Sequence, residues 1–391
     1  MSRKKLRNVT IVTLIIMGIF ITGCNKGDSS TGIGQIVDTE HILTLSLAAY
    51  RDNDYVQEII NIDRATGEST LIVTDEGMYA APIWSPDGTQ LAYSSGTGVE
   101  DEKQCIRIVD STGNELKTLP DLGGDEIVIG WSKDGKKLLV QGLIQDEVYY
   151  TMFYIVDIES GEAELVGDFR EDNFESVQYA EWSPDEKYVI FAAADGEGMS
   201  SIYRLDVSDG SLVAMTQGYY DDTPKWSPDG QYVMFTRLRE EDSAKSKEGE
   251  YNPSIDIWIA DADGNEFKCM AKGEFTDHLD AVWSPDGKHI VFIRSPKDIR
   301  AQNELVLYSI ESGEEKVLKR GKEYKYIPVI SPDGKTVAFA SFDGSDEGEM
   351  PEQGFDSSIY IVDIDTGKLK KLSTFTGDIY TLEWGGVGSA D

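Results

Sequence analysis

An all-β fold, a ring of small four-stranded sheets, is predicted for this 391-residue chain by three features of its sequence. The pentapeptide Trp-Ser-Pro-Asp-Gly recurs at a near-constant interval. Each copy leads into a compact apolar strand and then a second strand that ends in a glycine turn. The two ends of the repeat array carry complementary fragments of this unit. Strict copies start at Trp84, Trp226 and Trp283, altered ones at Trp131, Trp182 and Ile330, and Trp384-Gly385-Gly386 is a worn copy. The six steps from Trp84 to Trp384 average 50 residues. Short strands repeated at that period are the signature of a β-propeller, with one repeat per blade.

The N-terminus comes first. Arg3, Lys4, Lys5 and Arg7 precede an apolar run from Val9 to Ile21. That run is too short to span a bilayer comfortably and fits the h-region of a secretory signal. It closes on Ile21-Thr22-Gly23-Cys24, which resembles the lipobox of bacterial lipoproteins. The resemblance implies cleavage after Gly23, lipidation of Cys24 and a membrane-anchored, extracytoplasmic location at the cell surface or in the periplasm. Residues 24–38, rich in Gly, Ser and Asp, read as a flexible tether. The expected organisation is a signal at 1–23, a tether at 24–38, a propeller at 39–386 and a tail at 387–391.

The tight turns follow from their residues. In Ser-Pro-Asp-Gly, Ser can bond the backbone from the first turn position, Pro presets φ at the second, and Gly accepts positive φ at the fourth. Glu186 replaces that Gly in the third copy, where a different turn or a strain cost is expected. The Trp ahead of each turn is expected between blades. Its burial, roughly 200 Å², contributes on the order of 5 kcal/mol at most. The runs after the turns, such as Tyr188-Val189-Ile190-Phe191 and His289-Ile290-Val291-Phe292, are apolar on both faces, as strands between neighbouring sheets must be.

Counting sets the number of blades. Six complete units begin at the motifs. Ahead of them, Ile42 to Ala49, Glu58 to Asp63 and Thr70 to Val73 read as three strands without a leading motif, and Ile379 to Trp384 reads as a lone first strand. Joined, the fragments make a seventh blade, closing the ring without an unpaired edge. The prediction is a seven-bladed β-propeller of four-stranded antiparallel sheets, closed by pairing of the C-terminal strand with three N-terminal strands.

Taken together, the Ser-Pro-Asp-Gly motifs resemble the TolB-like β-propeller repeat family, also seen in the propellers of prolyl oligopeptidase-type enzymes. The resemblance covers residues 79–386 and, by complementation, 40–78. TolB members have six blades and an N-terminal α/β domain. Here the residues before 40 read as signal and tether, so it is the repeat that carries over.

Charge narrows the partners. The formal net charge is −35, and −39 without the four basic groups of residues 1–23. Such a surface repels nucleic-acid phosphates and anionic headgroups, which excludes nucleic acid as a partner and leaves anchoring to the lipid on Cys24. Cationic ligands suit it, as do divalent ions. The segment Asp261-Ala262-Asp263-Gly264-Asn265-Glu266 partly resembles a calcium loop but lacks its full ligand spacing and falls on a glycine turn. No cofactor is expected, with a divalent cation as the inorganic alternative. Cys105 and Cys269 stand in different repeats and read as small apolar fillers. A monomer is expected.

In a propeller the blade-to-blade connections surround one mouth of the central channel. The candidate ligand-binding residues there are Tyr220, Asp221, Asp222, Asp277, His278, Tyr324, Tyr326 and Tyr380. Aromatic rings beside carboxylates suit a peptide, a sugar or a cation. No catalytic residue is assigned. The sequence has no Gly-x-Ser-x-Gly elbow, and convergence of its three His is not expected, with His41 and His289 on or next to strands of different blades and His278 on a loop. The expected function is a non-catalytic scaffold for a protein, peptide or envelope polymer. The alternative is a channel-mouth hydrolase or lyase acting on saccharides or peptides, with Asp221 or Asp222 working against Asp277.

Overall fold

The computed structural model describes residues 42–51, 54–75, 82–96, 104–145, 149–172, 174–195, 199–217, 219–239, 254–265, 267–273, 276–296, 303–321, 323–342 and 356–385. Among them, strands β1 to β28 form seven four-stranded antiparallel sheets arranged as a ring. Blade 1 is β4 (Ile83–Trp84), β5 (Gln90–Ser95), β6 (Cys105–Asp110) and β7 (Glu115–Thr118). Blade 2 is β8 (Asp125–Trp131), β9 (Lys137–Gln145), β10 (Tyr149–Asp157) and β11 (Ala163–Asp168). Blade 3 is β12 (Ser176–Trp182), β13 (Tyr188–Ala194), β14 (Ser200–Asp206) and β15 (Leu212–Ala214). Blade 4 is β16 (Asp221–Trp226), β17 (Tyr232–Arg239), β18 (Ser254–Asp261) and β19 (Lys268–Ala271). Blade 5 is β20 (Thr276–Trp283), β21 (His289–Pro296), β22 (Glu304–Ser309) and β23 (Glu315–Arg320). Blade 6 is β24 (Tyr324–Ile330), β25 (Thr336–Phe342), β26 (Asp356–Asp363) and β27 (Leu369–Thr376). The seventh blade joins β28 (Asp378–Trp384) to β1 (Ile42–Arg51), β2 (Asp54–Asp63) and β3 (Ser69–Asp75), in the order β28-β1-β2-β3. This is the closure that the complementary fragments predict. Its register sets Leu43 against Trp384 and Thr44 against Glu383.

The core lies between blades. Phe191, Phe235, Phe292 and Phe339 sit at matching places on the second strands and are fully buried. Each apolar cluster draws on two neighbouring sheets: Phe153 and Val166 of blade 2 with Val189 and Phe191 of blade 3, or Val291 and Leu305 of blade 5 with Val337 and Phe339 of blade 6. Trp84, Trp226 and Trp384 are buried, whereas Trp131, Trp182 and Trp283 are half-buried. Several indoles tie their blade to the preceding one. Trp131 Nε1 donates to the Ile83 carbonyl at 2.9 Å, Trp384 Nε1 to that of Val329 at 3.3 Å, and Trp84 Nε1 to Thr44 Oγ1 at 2.8 Å.

The motif turns are alike in detail. Each motif Ser donates to its own Asp, as Ser85 does to Asp87 at 2.7 Å and Ser284 to Asp286 at 2.6 Å. The same Ser Oγ accepts the N–H of the residue that opens the next strand, Gln90 at 3.0 Å and His289 at 2.9 Å. Glu186 keeps the turn its glycine counterparts make, with φ at 62°, so the strain alternative holds there. Its Oε1 accepts the Lys133 N–H of the neighbouring turn at 2.5 Å.

Basic side chains add a clamp that the motif does not announce. Lys117 donates to the carbonyls of Ile158 and Glu159, Lys316 to those of Ile364 and Asp365, and Lys370 to those of Arg64 and Ala65. Arg204 likewise reaches Ala262 and Asp263. Each clamp runs from one blade to the glycine turn of the next. The outer strand of blade 7, Ser-Thr-Leu-Ile-Val-Thr-Asp, contains no Lys or Arg. There the fit is made by Gly113, where a Cβ would stand 2.1 Å from the Ile72 carbonyl oxygen.

Candidate functional site

The inner strands line the axial channel, and most of them are bulged. The ladder slips between Gln178 and Glu181 in β12, Asp222 and Lys225 in β16, Leu279 and Val282 in β20, and Tyr326 and Val329 in β24. In four successive blades the residue three places before the motif's first position is left-handed: Tyr179 at φ 54°, Thr223 at 49°, Asp280 at 51° and Ile327 at 44°. None is a glycine, so each costs about 1–2 kcal/mol. A bulge re-aims side chains, and strain of this kind gathers at functional sites.

Here polar groups of three successive blades come within electrostatic reach of one another. Tyr179, 36% exposed, comes from blade 3. Its hydroxyl is pushed up to about 12 by burial, with the carboxylates of Asp222 from blade 4 and Asp280 from blade 5 adding to the effect. Burial raises the Asp222 carboxyl to about 6, against the Thr223 N–H it accepts at 3.0 Å, and Asp221 adds to the rise. Asp280 is open to the channel, yet protein stands around it on most sides. That shortage of solvent pushes its carboxyl up, while the Ile327 N–H, donated to Oδ2 at 3.1 Å, pulls it down.

A second level lies one residue before the motif position. Glu181 Oε2 accepts the Trp226 N–H of the next blade at 2.6 Å. Glu383 takes the Trp84 N–H in the same manner. Burial raises both carboxyls, that of Glu383 to about 8; at Glu181 the ammonium of Lys225 acts in the opposite direction.

The sequence-predicted residues divide. Asp222 is half-buried and belongs to the group just described, and Tyr380 is half-buried at the bulge of β28. Asp221 is fully buried, and its two oxygens take the Arg237 guanidinium at 2.6 and 2.8 Å. Tyr219 covers that guanidinium at 3.8 Å. Asp277 accepts the Ile255 N–H at 3.1 Å. His278 lies in β20 rather than on a loop and is 2% exposed. Burial lowers its pKa, and Nδ1 pairs with the Ile255 carbonyl at 2.9 Å. Tyr324 stacks on Phe342 at 5.2 Å, and the Tyr326 hydroxyl, pushed up to about 12 by burial, meets Ser357 Oγ at 3.0 Å. Tyr220 is half-buried, and its carbonyl accepts the Leu238 N–H. Cys24 lies outside the described residues.

Sequence reasoning passed over Tyr179, Glu181 and Glu383 and read Asp280 as part of a connecting segment. Their signal was positional, three residues and one residue before a motif already located. Among the described residues no group of three or more His, Cys, Asp or Glu could hold a metal ion. The calcium-like segment is a turn in which Asp261 Oδ1 accepts the N–H groups of Asp263 and Asn265.

Fold and channel thus define a seven-bladed propeller with an acid-lined axis. The model of the TolB beta propeller domain family matches residues 45–248, and the chain belongs to that family. It is 23% identical over 324 residues to dipeptidyl-peptidase 5 of Porphyromonas gingivalis, covering 77% of this chain and 42% of that protein. The chain therefore spans less than half the length of that relative. It is 30% identical over 239 residues to the uncharacterized protein Atu1656 of Agrobacterium fabrum, covering 59% of this chain and 72% of that one. An oligogalacturonate lyase from Vibrio parahaemolyticus superposes with a TM-score of 0.57 at 13% identity, covering 85% of this chain and 86% of the lyase, a likeness of fold alone.

Proposed function

We propose that this chain is a lipid-anchored extracytoplasmic binding protein whose channel takes a cationic segment of a protein or peptide. The carrying observation is that Asp222 and Asp280, beside and on the strained bulges of two blades, both act electrostatically on Tyr179 of a third. Two carboxylates and an aromatic face in a narrow channel suit an ammonium or guanidinium group. The basic n-region, the apolar run and Cys24 in its lipobox-like context support the anchor. Among the described residues no helix is long and apolar enough to cross a membrane.

The test is binding of pentalysine to the soluble body, residues 25–391, by calorimetry at pH 7.5. The double variant Asp222→Asn/Asp280→Asn should lose at least tenfold in affinity without any fall in melting temperature, and equal affinity would refute the site. For the anchor, Cys24→Ser should move the chain from the membrane to the soluble fraction.

A second reading, a hydrolase or lyase acting on saccharides or peptides, has support in Asp222. A carboxyl near 6 can act as a general acid close to neutrality. Turnover in a glycan and peptide screen, with and without divalent metal, and its loss in Asp222→Asn, would favour this reading over binding alone.

A further inference from the structure

We infer that the joint between blade 7 and blade 1 is the pH-responsive seam of the ring, tight while Glu383 carries a proton and loosened as its carboxyl ionises. Two seams of the molecule use the same device and differ in one residue. Between blades 3 and 4, the Glu181 carboxyl accepts the Trp226 N–H, and Lys225, the residue before that Trp, supplies a cation. Between blades 7 and 1, the Glu383 carboxyl accepts the Trp84 N–H, and the residue before that Trp is Ile83.

Apart from the Trp84 N–H, the described residues around Glu383 hold nothing that welcomes a negative charge. Its Oε2 is buried and has no hydrogen-bond partner among the described residues. From β1 it faces Thr44, whose Oγ1 donates to Asn61 and accepts from the Trp84 indole. From β4 it meets Ile83 and Trp84, and β24 presents Val329, whose carbonyl takes the Trp384 indole. Arg64, the cation near the neighbouring Trp384, lies over that ring at 5.4 Å and donates to Thr336 Oγ1. Burial and the Trp84 N–H are the influences on the carboxyl, and no charged group counters the first. An ion in this position lacks both solvent and a charged partner, which favours the neutral acid.

Like β11 of blade 2, the outer strand of blade 7 brings no basic clamp to its seam. Ring closure there rests on the inner-edge contacts of Glu383 and Thr44, the apolar cluster of Ile59, Trp84, Leu91, Tyr93 and Val109, and the fit of Gly113.

The sign follows from linkage. The closed seam binds the Glu383 proton more tightly than an opened, hydrated one. The opening equilibrium therefore rises with pH, by about tenfold per unit from the ordinary glutamate range up to about 8, and then levels off. Hydrogen exchange of the soluble body, residues 25–391, read peptide by peptide from pH 5 to 9 and corrected for intrinsic exchange, tests this. Peptides of β28, β1 and β4 should lose protection as pH rises, while those of β12 and β16 change less. Glu383→Gln, which keeps an acceptor for the Trp84 N–H, should flatten the response. Ile83→Lys, which places a lysine where the blade 3–4 seam has one, should flatten it as well and serves if the Gln variant does not fold. Constant protection of the seam from pH 5 to 9, or an unchanged slope in whichever variant folds, would overturn the inference.

Discussion

The rim of motif turns and the axial channel use the same side-chain chemistry to opposite ends. At the rim, carboxylates are held ionised. Burial works against ionisation at Asp87, Asp286 and Asp333, yet the motif Ser and backbone N–H groups together outweigh it. Lys187 and Ser183 bring Asp185 down to about 2. In the channel, Asp222, Asp280, Glu181 and Glu383 are all pushed up, chiefly by burial. A rim aspartate finds side-chain and backbone donors within its own turn, whereas each channel carboxyl is lowered by a single backbone N–H that does not offset its burial.

The contrast gives opposite pH signs. Rim acids, with lowered pKa values, contribute stability that is present above the ordinary aspartate range and lost as pH falls through their folded values. Channel acids, with raised values, cost stability as pH climbs toward theirs.

The harshest way to break this division is to attack residues on the channel-mouth strands that the structure reads as scaffold. Asp221→Ala leaves the Arg237 guanidinium buried without its carboxylate and should cost about 3–5 kcal/mol in urea unfolding. A loss under about 1 kcal/mol, with ligand binding abolished, would make Asp221 a binding residue after all. Trp226→Ala, at 5% exposure, should cost a similar 3–5 kcal/mol through its cavity, and a small loss would undo the blade packing. Next comes Asp222→Asn. Its carboxyl binds a proton more tightly in the folded chain, so the substitution should raise stability by roughly 1–2 kcal/mol at pH 8 and leave it unchanged at pH 3, as read by thermal melts. Ser284→Ala removes the Asp286 and His289 hydrogen bonds and should cost about 1 kcal/mol. The smallest effect is expected from Glu186→Gly. Relief of the left-handed backbone, about 1 kcal/mol, outweighs the exposed bond to Lys133, for a net gain of about 0.5 kcal/mol.

The ring was legible because its signals are local and repeated. Ser85-Pro86-Asp87-Gly88 describes its own turn, and Val233-Met234-Phe235 describes a strand buried on both sides. Closure was legible because Ile379 to Trp384 has the pattern of a first strand with no sequel. The channel was much less so. Tyr179 and Asp280 influence one another from different blades, through bulges where, of the four left-handed residues, Asp280 alone is of a type that tolerates that backbone. Aromatic and acidic residues of the connecting segments looked like a binding rim, but Tyr324 and Tyr326 are taken up by Phe342 and Ser357, and His278 by the Ile255 carbonyl. Composition cannot tell a side chain that finds its partner at home from one that does not.

The pairing of Thr44 with Glu383 has a consequence for how the molecule comes into being. A chain emerging from the ribosome or a translocon presents β1 long before β28 exists, so one strand edge stays bare through nearly the whole of synthesis. Bringing such distant segments together is a large-loop closure, slow compared with the hairpins inside each blade. Assembly should therefore proceed sheet by sheet and finish with a late ring-locking step, during which helper proteins or β-rich neighbours have their best chance to intervene.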